Sequence, residues 1–292
     1  MRFSRVPEII RILTTTVFSL SLFSVSATDS DLTALLPHHA SMVAEANFTA
    51  LSQHPQKDII FTPILQSCGK IVNRIRHLLV ACDHNGKRRI MFGQFTSPET
   101  ANRLFQYYAD RTYSGNICYL RGRPGDRRTI RMARIRSNIL GIYTAYPADH
   151  SIPEIPSADG CRISTLLPKR NELLLWGVGV PESKKEFLKD LRYFDFALEN
   201  DIDNRPLLHG QLICRDALSA LAAELFFRQA VPFLLYKEYN IGLPDTLCAI
   251  NALQLKRHES KLTFSTRQIE PVIKIIARIL QDEMSSFKEA VR

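Results

Sequence analysis

Residues His77 to Phe95 constrain the fold more than any other stretch. They read HLLVACD, then His84-Asn85-Gly86-Lys87, then RRIMFGQF. Asn-Gly between two apolar runs is the strongest short-range hairpin signal, because both residues accept the positive φ of a type I′ turn. A chain built around this segment contains antiparallel sheet. The text that follows is equally well punctuated. Ser97-Pro98-Glu99 offers a capping residue, a proline at the first helical position and an early acid, and Ala101, Leu104, Phe105 and Tyr108 then line one helical face. Ser114-Gly115 stops that helix and Ile117–Leu120 starts a strand. Upstream, Ile59–Phe61 reads as a short strand and Leu65–Ile75 as a helix. The expected order is strand, helix, strand, strand, helix, strand: a ferredoxin-like βαββαβ unit within an α+β protein.

The N-terminus speaks to compartment. Arg2, Arg5 and Arg11 precede an uncharged apolar run of sixteen residues from Ile12 to Ala27, closed by the small residues Val25-Ser26-Ala27. This is the grammar of a secretory signal peptide, and the run is short of the roughly twenty residues a membrane span needs. Residues 1–27 are therefore expected to be removed, leaving an exported, soluble protein that is periplasmic or secreted. Six cysteines remain, at 68, 82, 118, 161, 214 and 248. In an oxidising compartment they favour disulfides, with Cys214/Cys248 and Cys68/Cys82 the pairs closest in sequence, while buried thiols are the alternative. No CxxC spacing occurs, so neither dithiol redox catalysis nor a zinc ribbon is supported. Asn47-Phe48-Thr49 fits the N-glycosylation pattern, which matters only in a eukaryotic host.

Along the rest of the chain, Ala40, Val43, Ala44, Phe48 and Leu51 recur at helical spacing, which predicts a helix over 39–53 in an N-terminal arm spanning 28–57. An α+β, hairpin-rich domain covers 58–146. The proline-bearing stretch PADHSIPEIPSADG makes 147–160 a linker or long loop. The C-terminal unit, 161–292, is expected to be mixed and mainly helical. Its second hairpin runs from Ile163–Leu167 through the turn 168–171 to Glu172–Val180. Ser183 and Glu186 fit a capping box that would start a helix carrying Leu191, Phe194 and Leu198. Further helices are expected over Asp216–Ala230, ended by Pro232, then over Pro244–Lys256 and Pro271–Phe287, with a strand at Lys261–Ser265.

Chemistry is less marked. There is no G-x-S-x-G, H-E-x-x-H, G-x-x-x-x-G-K-[ST] or G-x-G-x-x-G. His38-His39, Asp149-His150 and His209 have no placed partners, so no catalytic residue, metal site or cofactor is assigned. The formal charge of +9 points toward acidic partners. Seven arginines crowd residues 121–136, and Gly122–Asp126 reads as a turn between strands. Arginine on both faces of a strand implies an edge or projecting ribbon, either an anion-binding patch or an edge kept soluble by charge. The candidate ligand-binding residues are Arg88, Arg121, Arg123, Arg127, Arg128 and Arg131.

The joint RRIMFGQFTSPETANRL resembles the second half of a SPOR domain, the sporulation-related repeat, through Gly93, Phe95, Ser97, Glu99, Ala101 and Leu104. The resemblance covers residues 58–121. It implies a non-catalytic module of the cell envelope that binds septal peptidoglycan glycan strands. The expected function is an exported, soluble, non-catalytic binding protein recognising an acidic or glycan ligand, such as peptidoglycan or another acidic polymer, through a basic β-ribbon. Alternatives are an exported hydrolase with a non-local active site, or a structural or secretion-apparatus component whose apolar C-terminal helices dock a protein partner.

Overall fold

The computed structural model describes residues 32–279 apart from 38–39, 70–71, 84–88, 110–112, 115–116, 121–128, 146–162, 168–172 and 182–189. The fold is α+β. Twelve strands among the described residues form one sheet in which every pairing is antiparallel. They are β1 Met42–Asn47, β2 Ile75–Cys82, β3 Arg89–Phe95, β4 Tyr113–Ser114, β5 Ile117–Leu120, β6 Thr129–Arg136, β7 Ile139–Ala145, β8 Leu175–Gly179, β9 Leu191–Asn200, β10 Pro206–Cys214, β11 Gln254–His258 and β12 Lys261–Thr266. Their order across the sheet is β11-β12-β10-β9-β8-β1-β2-β3-β7-β6-β5-β4.

The hairpin stands as the sequence predicts: β2 pairs β3 from Ile75↔Phe95 to Cys82↔Arg89. The helix after it, α4 Pro98–Ala109, is capped by Ser97, whose Oγ accepts from the Thr100 N–H at 3.2 Å. Its Ala101 and Phe105 are buried against Phe95, Met132 and Leu140. The ferredoxin-like order does not hold, because residues 59–61 are not a strand. They belong to a helical stretch, α1 Phe48–Gln53, α2 Lys57–Ile60 and α3 Thr62–Cys68. Ile60, Phe61 and Ile64 fall on one face of that stretch and enter the main core.

The expected N-terminal arm is the centre of the sheet. β1 pairs β2 on one side and β8 on the other, so one sheet crosses the boundary drawn at 147–160, a stretch outside the described residues. Ala40, Val43, Ala44, Phe48 and Leu51 have helical spacing, yet only Phe48 and Leu51 are helical. The alternation of β1, Ala44-Glu45-Ala46-Asn47, is too short to announce a strand against that helical spacing. Met42, Ala44 and Ala46 face the main core, and Val43 faces a second core on the opposite side of the sheet. Asn47 ends β1 at 1% exposure and caps α1 by accepting from the Ala50 N–H. Its amide is therefore inaccessible to a glycan in the folded chain.

β9 corrects a second helix expectation. Leu191, Phe194 and Leu198 have helical spacing, but Tyr193-Phe194-Asp195-Phe196-Ala197-Leu198-Glu199 also alternates with period two, and the strand prevails. Gly177 makes it possible: a Cβ there would lie 2.4 Å from the Phe196 ring on the paired strand. The aromatic ring fills the space the glycine leaves. Residues 163–167 hold a 3-10 turn, Ser164–Leu166, rather than a strand, and β11 occupies the end of the helix expected over 244–256.

The helices pack on one face of the sheet. α5 Ala217–Leu225 continues through a π-helical turn, Phe226–Ala230, into α6 Val231–Tyr239. Pro232 does not end this helix. A proline lacks the N–H and clashes with the carbonyl four residues back, and here the ladder has just been reset by the π turn. α7 Leu243–Ala252 and α8, residues 269–279, complete the layer, with Val272, Ile275 and Ile279 buried as their spacing predicts. Among the described residues the opposite face is covered only in part, by residues 32–36 and 163–167 over β1–β3 and β8.

Candidate functional site: an open polar face of the sheet

The uncovered part of that opposite face lies over β8, β9, β10, β12 and β11. Alternation sorts the side chains. On β9, Phe194, Phe196 and Leu198 turn to the helices, and Tyr193, Asp195, Ala197 and Glu199 turn to the open side. β10 contributes His209 and Gln211, β12 Lys261, Thr263 and Ser265, β11 Gln254 and Lys256, and β8 Trp176 and Val178. Together they line a cleft of about 620 Å³, inside the roughly 300–1,000 Å³ typical of small-molecule sites. Strand order places an apolar wall of Leu166, Leu173 and Trp176 at one end and the two lysines at the other.

Register arranges the polar floor. Gln211 lies opposite Asp195, and its Nε2 donates to Asp195 Oδ2. Tyr193 also hydrogen-bonds Asp195, and burial, that bond and the carboxylate's charge, in that order, push the phenol above its ordinary range. Tyr193 therefore remains a neutral donor. One register step along, His209 Nε2 meets Glu199 Oε1 at 3.0 Å. His209, expected to be a loop residue, sits within a ten-residue strand's partner and faces solvent over the cleft. The floor is thus a row of paired polar groups.

Asp195 and Glu199 are four residues apart on one strand, roughly 13 Å along it. Two carboxylates acting on a glycosidic bond stand roughly 5–9.5 Å apart, so this pair does not form such a dyad. Among the described residues no three His, Cys, Asp or Glu side chains gather as a metal centre. Cys214 is buried, Cys248 is exposed, and both are free thiols, so the expected Cys214–Cys248 bridge is not formed. Cys82 is buried at the end of β2, and the side chains of Cys68, Cys118 and Cys161 lie outside the described residues.

Of the arginines singled out in the sequence, Arg88, Arg121, Arg123, Arg127 and Arg128 lie outside the described residues. Arg131 does not project. Its strand, β6, is flanked by β5 and β7 and is not an edge, and Arg131 is 8% exposed. Arg134 is occupied with α4: Nη1 donates to Asn102 Oδ1 at 2.8 Å and the guanidinium lies 5.5 Å from the Phe105 ring centre. Arg131 and Arg134 of the arginine-rich strand are thus drawn into packing, while Arg136 at its end is exposed. Sequence reasoning missed the β9–β12 cleft, although the Y-F-D-F-A-L-E alternation carried its signal.

No family model and no curated protein matches the chain. Among solved structures it is similar to crystal form III of TP0453, at 11% identity and a TM-score of 0.44, covering 86% of this chain and 98% of that one. Crystal form I of the same protein gives 11% identity and a TM-score of 0.42 over 87% and 100% of the two chains.

Proposed function

We propose that this chain is an exported, non-catalytic binding protein that takes an acidic, hydroxyl-rich ligand, such as a glycan fragment of the cell envelope, in the cleft over β8–β12. The observation that carries this reading is the composition of the cleft's ends and floor. Lys256 and Lys261 supply positive charge for a carboxylate or phosphate, the Asp195, Gln211, Glu199 and His209 row offers donors and acceptors to hydroxyls, and the apolar wall takes the ring face of a sugar. The proposed ligand class is the one expected from the chain's charge, and the cleft is put forward as its site because Arg131 of the arginine ribbon is buried; Arg88 and residues 121–128 lie outside the described residues.

The protein contains a single tryptophan, and it lines this cleft. Titration of the mature protein with soluble peptidoglycan glycan fragments, followed by Trp176 fluorescence, is therefore a direct test. Saturable binding that weakens about tenfold or more in the Lys256→Gln/Lys261→Gln variant, with thermal melting unchanged, is the expected result. A ten-fold loss corresponds to about 1.4 kcal/mol, within the range of lost charged hydrogen bonds. Retention on purified sacculi that is indifferent to the substitutions would remove the cleft from the binding reading.

A further inference from the structure

Among the described residues the sheet ends at β11. β11 pairs β12 from Gln254↔Ser265 to His258↔Lys261, and no described strand lies on its other side. Successive residues of an antiparallel strand point their backbone N–H and C=O groups to alternate sides. Lys256 turns its carbonyl toward β12, where Thr263 Oγ1 donates to it at 3.1 Å. Leu255 and Arg257 therefore direct theirs away from the sheet, and no described residue takes them up. Every residue of the strand is exposed except Leu255, which is half-buried.

The edge is basic on both faces. Lys256 and His258 lie on the cleft side, beside Lys261 of β12, and Arg257 lies on the helix side. There Arg257 Nε donates to Glu224 Oε2 at 3.2 Å, and Arg228 Nε donates to Oε1 of the same carboxylate at 3.1 Å. Glu224, with its side chain 20% exposed, thus holds two guanidiniums in place. Neither makes a hydrogen bond through its Nη groups to a described residue. Positioned forks with donors to spare are suited to carboxylates. Arg228, Lys256, Arg257 and Lys261 outnumber Glu224 and the turn residue Glu259, so the edge keeps a positive excess.

We propose that β11 is a docking edge for an extended, acidic peptide segment of a partner protein, which joins the sheet as one more strand. The N–H and C=O groups of Leu255 and Arg257 bond its backbone, as in other cases of strand addition. Its side chains then alternate between the two faces. Acids opposite Lys256 and His258 meet the basic cleft side, an acid opposite Arg257 meets the two guanidiniums, and an apolar residue opposite Leu255 extends the apolar helix face. Charge on an edge commonly guards against unwanted pairing. Here it excludes a second copy, whose own β11 would set like charges against each other, and it admits an acidic strand. A strand of five residues offers few ladder bonds, so charge supplies much of the affinity and salt weakens the complex. Lys256 borders both the cleft and this edge, but the edge's outward backbone groups and the arginine pair lie outside the cleft.

The probe is a fluorescein-labelled, C-terminally amidated peptide, Thr-Val-Glu-Glu-Glu-Val-Thr, whose order reads the same in both directions and so serves either strand polarity. Fluorescence anisotropy is expected to show saturable binding that falls with salt and weakens about tenfold or more in the Arg228→Gln/Arg257→Gln variant. Two further readouts use the unmodified chain. The same peptide with every backbone amide N-methylated keeps the charge but cannot pair, and is expected not to bind. Hydrogen exchange at the Leu255 and Arg257 amides is expected to be fast in the free protein and slow at peptide saturation. Absence of binding, or binding indifferent to the arginine substitutions, overturns the proposal. Equal binding of the methylated peptide, or amides that stay fast at saturation, also overturns it and reduces the edge to an anion patch. Slow exchange at both amides in the free protein overturns it as well, because the edge is then already covered by the chain itself or by a second copy.

Discussion

The centre of the sheet and the part toward its β11 edge use the same antiparallel ladder and meet water differently. Over β1, β2 and β3 both faces are covered, the helices lying on one side and residues 32–36 on the other, and side chains such as Leu79, Phe92 and Val43 are wholly buried. Over β9, β10 and β12 the described residues cover only the helix face, and the opposite face carries Asp195, Glu199, His209 and Thr263. A strand buried on both faces has no freedom to display polar chemistry, whereas a strand buried on one face must place polar groups on the other. The candidate ligand site lies where the second cover stops. Covered strands set stability, and half-covered strands can vary their outer residues at little cost to the fold.

The largest effect expected from that contrast is in paired truncations. Phe92 is fully buried and meets Tyr143 edge-on at 6.1 Å between ring centres. Phe92→Ala is expected to cost about 3–5 kcal/mol through lost transfer energy and the cavity left behind. Thr263→Ala, on the open face, is expected to stay within about 0.5 kcal/mol. Urea denaturation of both measures the contrast. Similar losses for the two would mean that the open face is structurally covered in solution and that the cleft is closed.

The next effect is in pH. His77, on β2 in the doubly covered region, is 7% exposed, and burial, helped by the neighbouring Arg76 charge, holds its pKa down to about 4. A histidine depressed in the fold is neutral there while the unfolded chain takes up a proton below about 6.5. Its contribution is thus present above about pH 6.5 and is lost as pH falls toward 4, by at most about 3 kcal/mol. Replacing His77 with Gln is expected to flatten the stability profile between pH 6.5 and 4 by that amount. An unchanged acid slope would show that the ring already reaches solvent.

Legibility in the sequence follows the same divide. The β2–β3 hairpin and α4 were readable because turn and cap chemistry are local: Asn85-Gly86 and Ser97-Pro98-Glu99 need no tertiary context. β1 was not readable, because Val43, Ala44, Phe48 and Leu51 fall equally well on a helical wheel, and the alternation of Ala44-Glu45-Ala46-Asn47 is too short to decide against it. β9 was readable in principle: both periods fit it, and only pairing with the glycines of β8 decides between them. The cleft was invisible for a further reason. Its members come from five strands, and His209 finds Glu199 only once register is set. The arginine cluster drew attention by density, but density does not say which strand is flanked, and β6 is flanked on both sides.

The smallest effect is the one that characterises the open face itself. His209 and Glu199 lie 3.0 Å apart, with side chains 41% and 24% exposed. A pair with that much water around it loses to hydration and side-chain entropy most of what it gains by attraction, and exposed pairs usually contribute only about 0.2–1 kcal/mol. A double-mutant cycle with His209→Ala, Glu199→Ala and the double variant isolates the coupling, because the two residues touch and each truncation removes the same contact. The expected coupling is below about 1 kcal/mol and shrinks in 0.5 M salt, where screening acts over only a few ångströms. A coupling of several kcal/mol, insensitive to salt, would place the pair in a dry environment. The region over β9 and β10 would then be a second covered core like that over β2 and β3, with no room for a ligand.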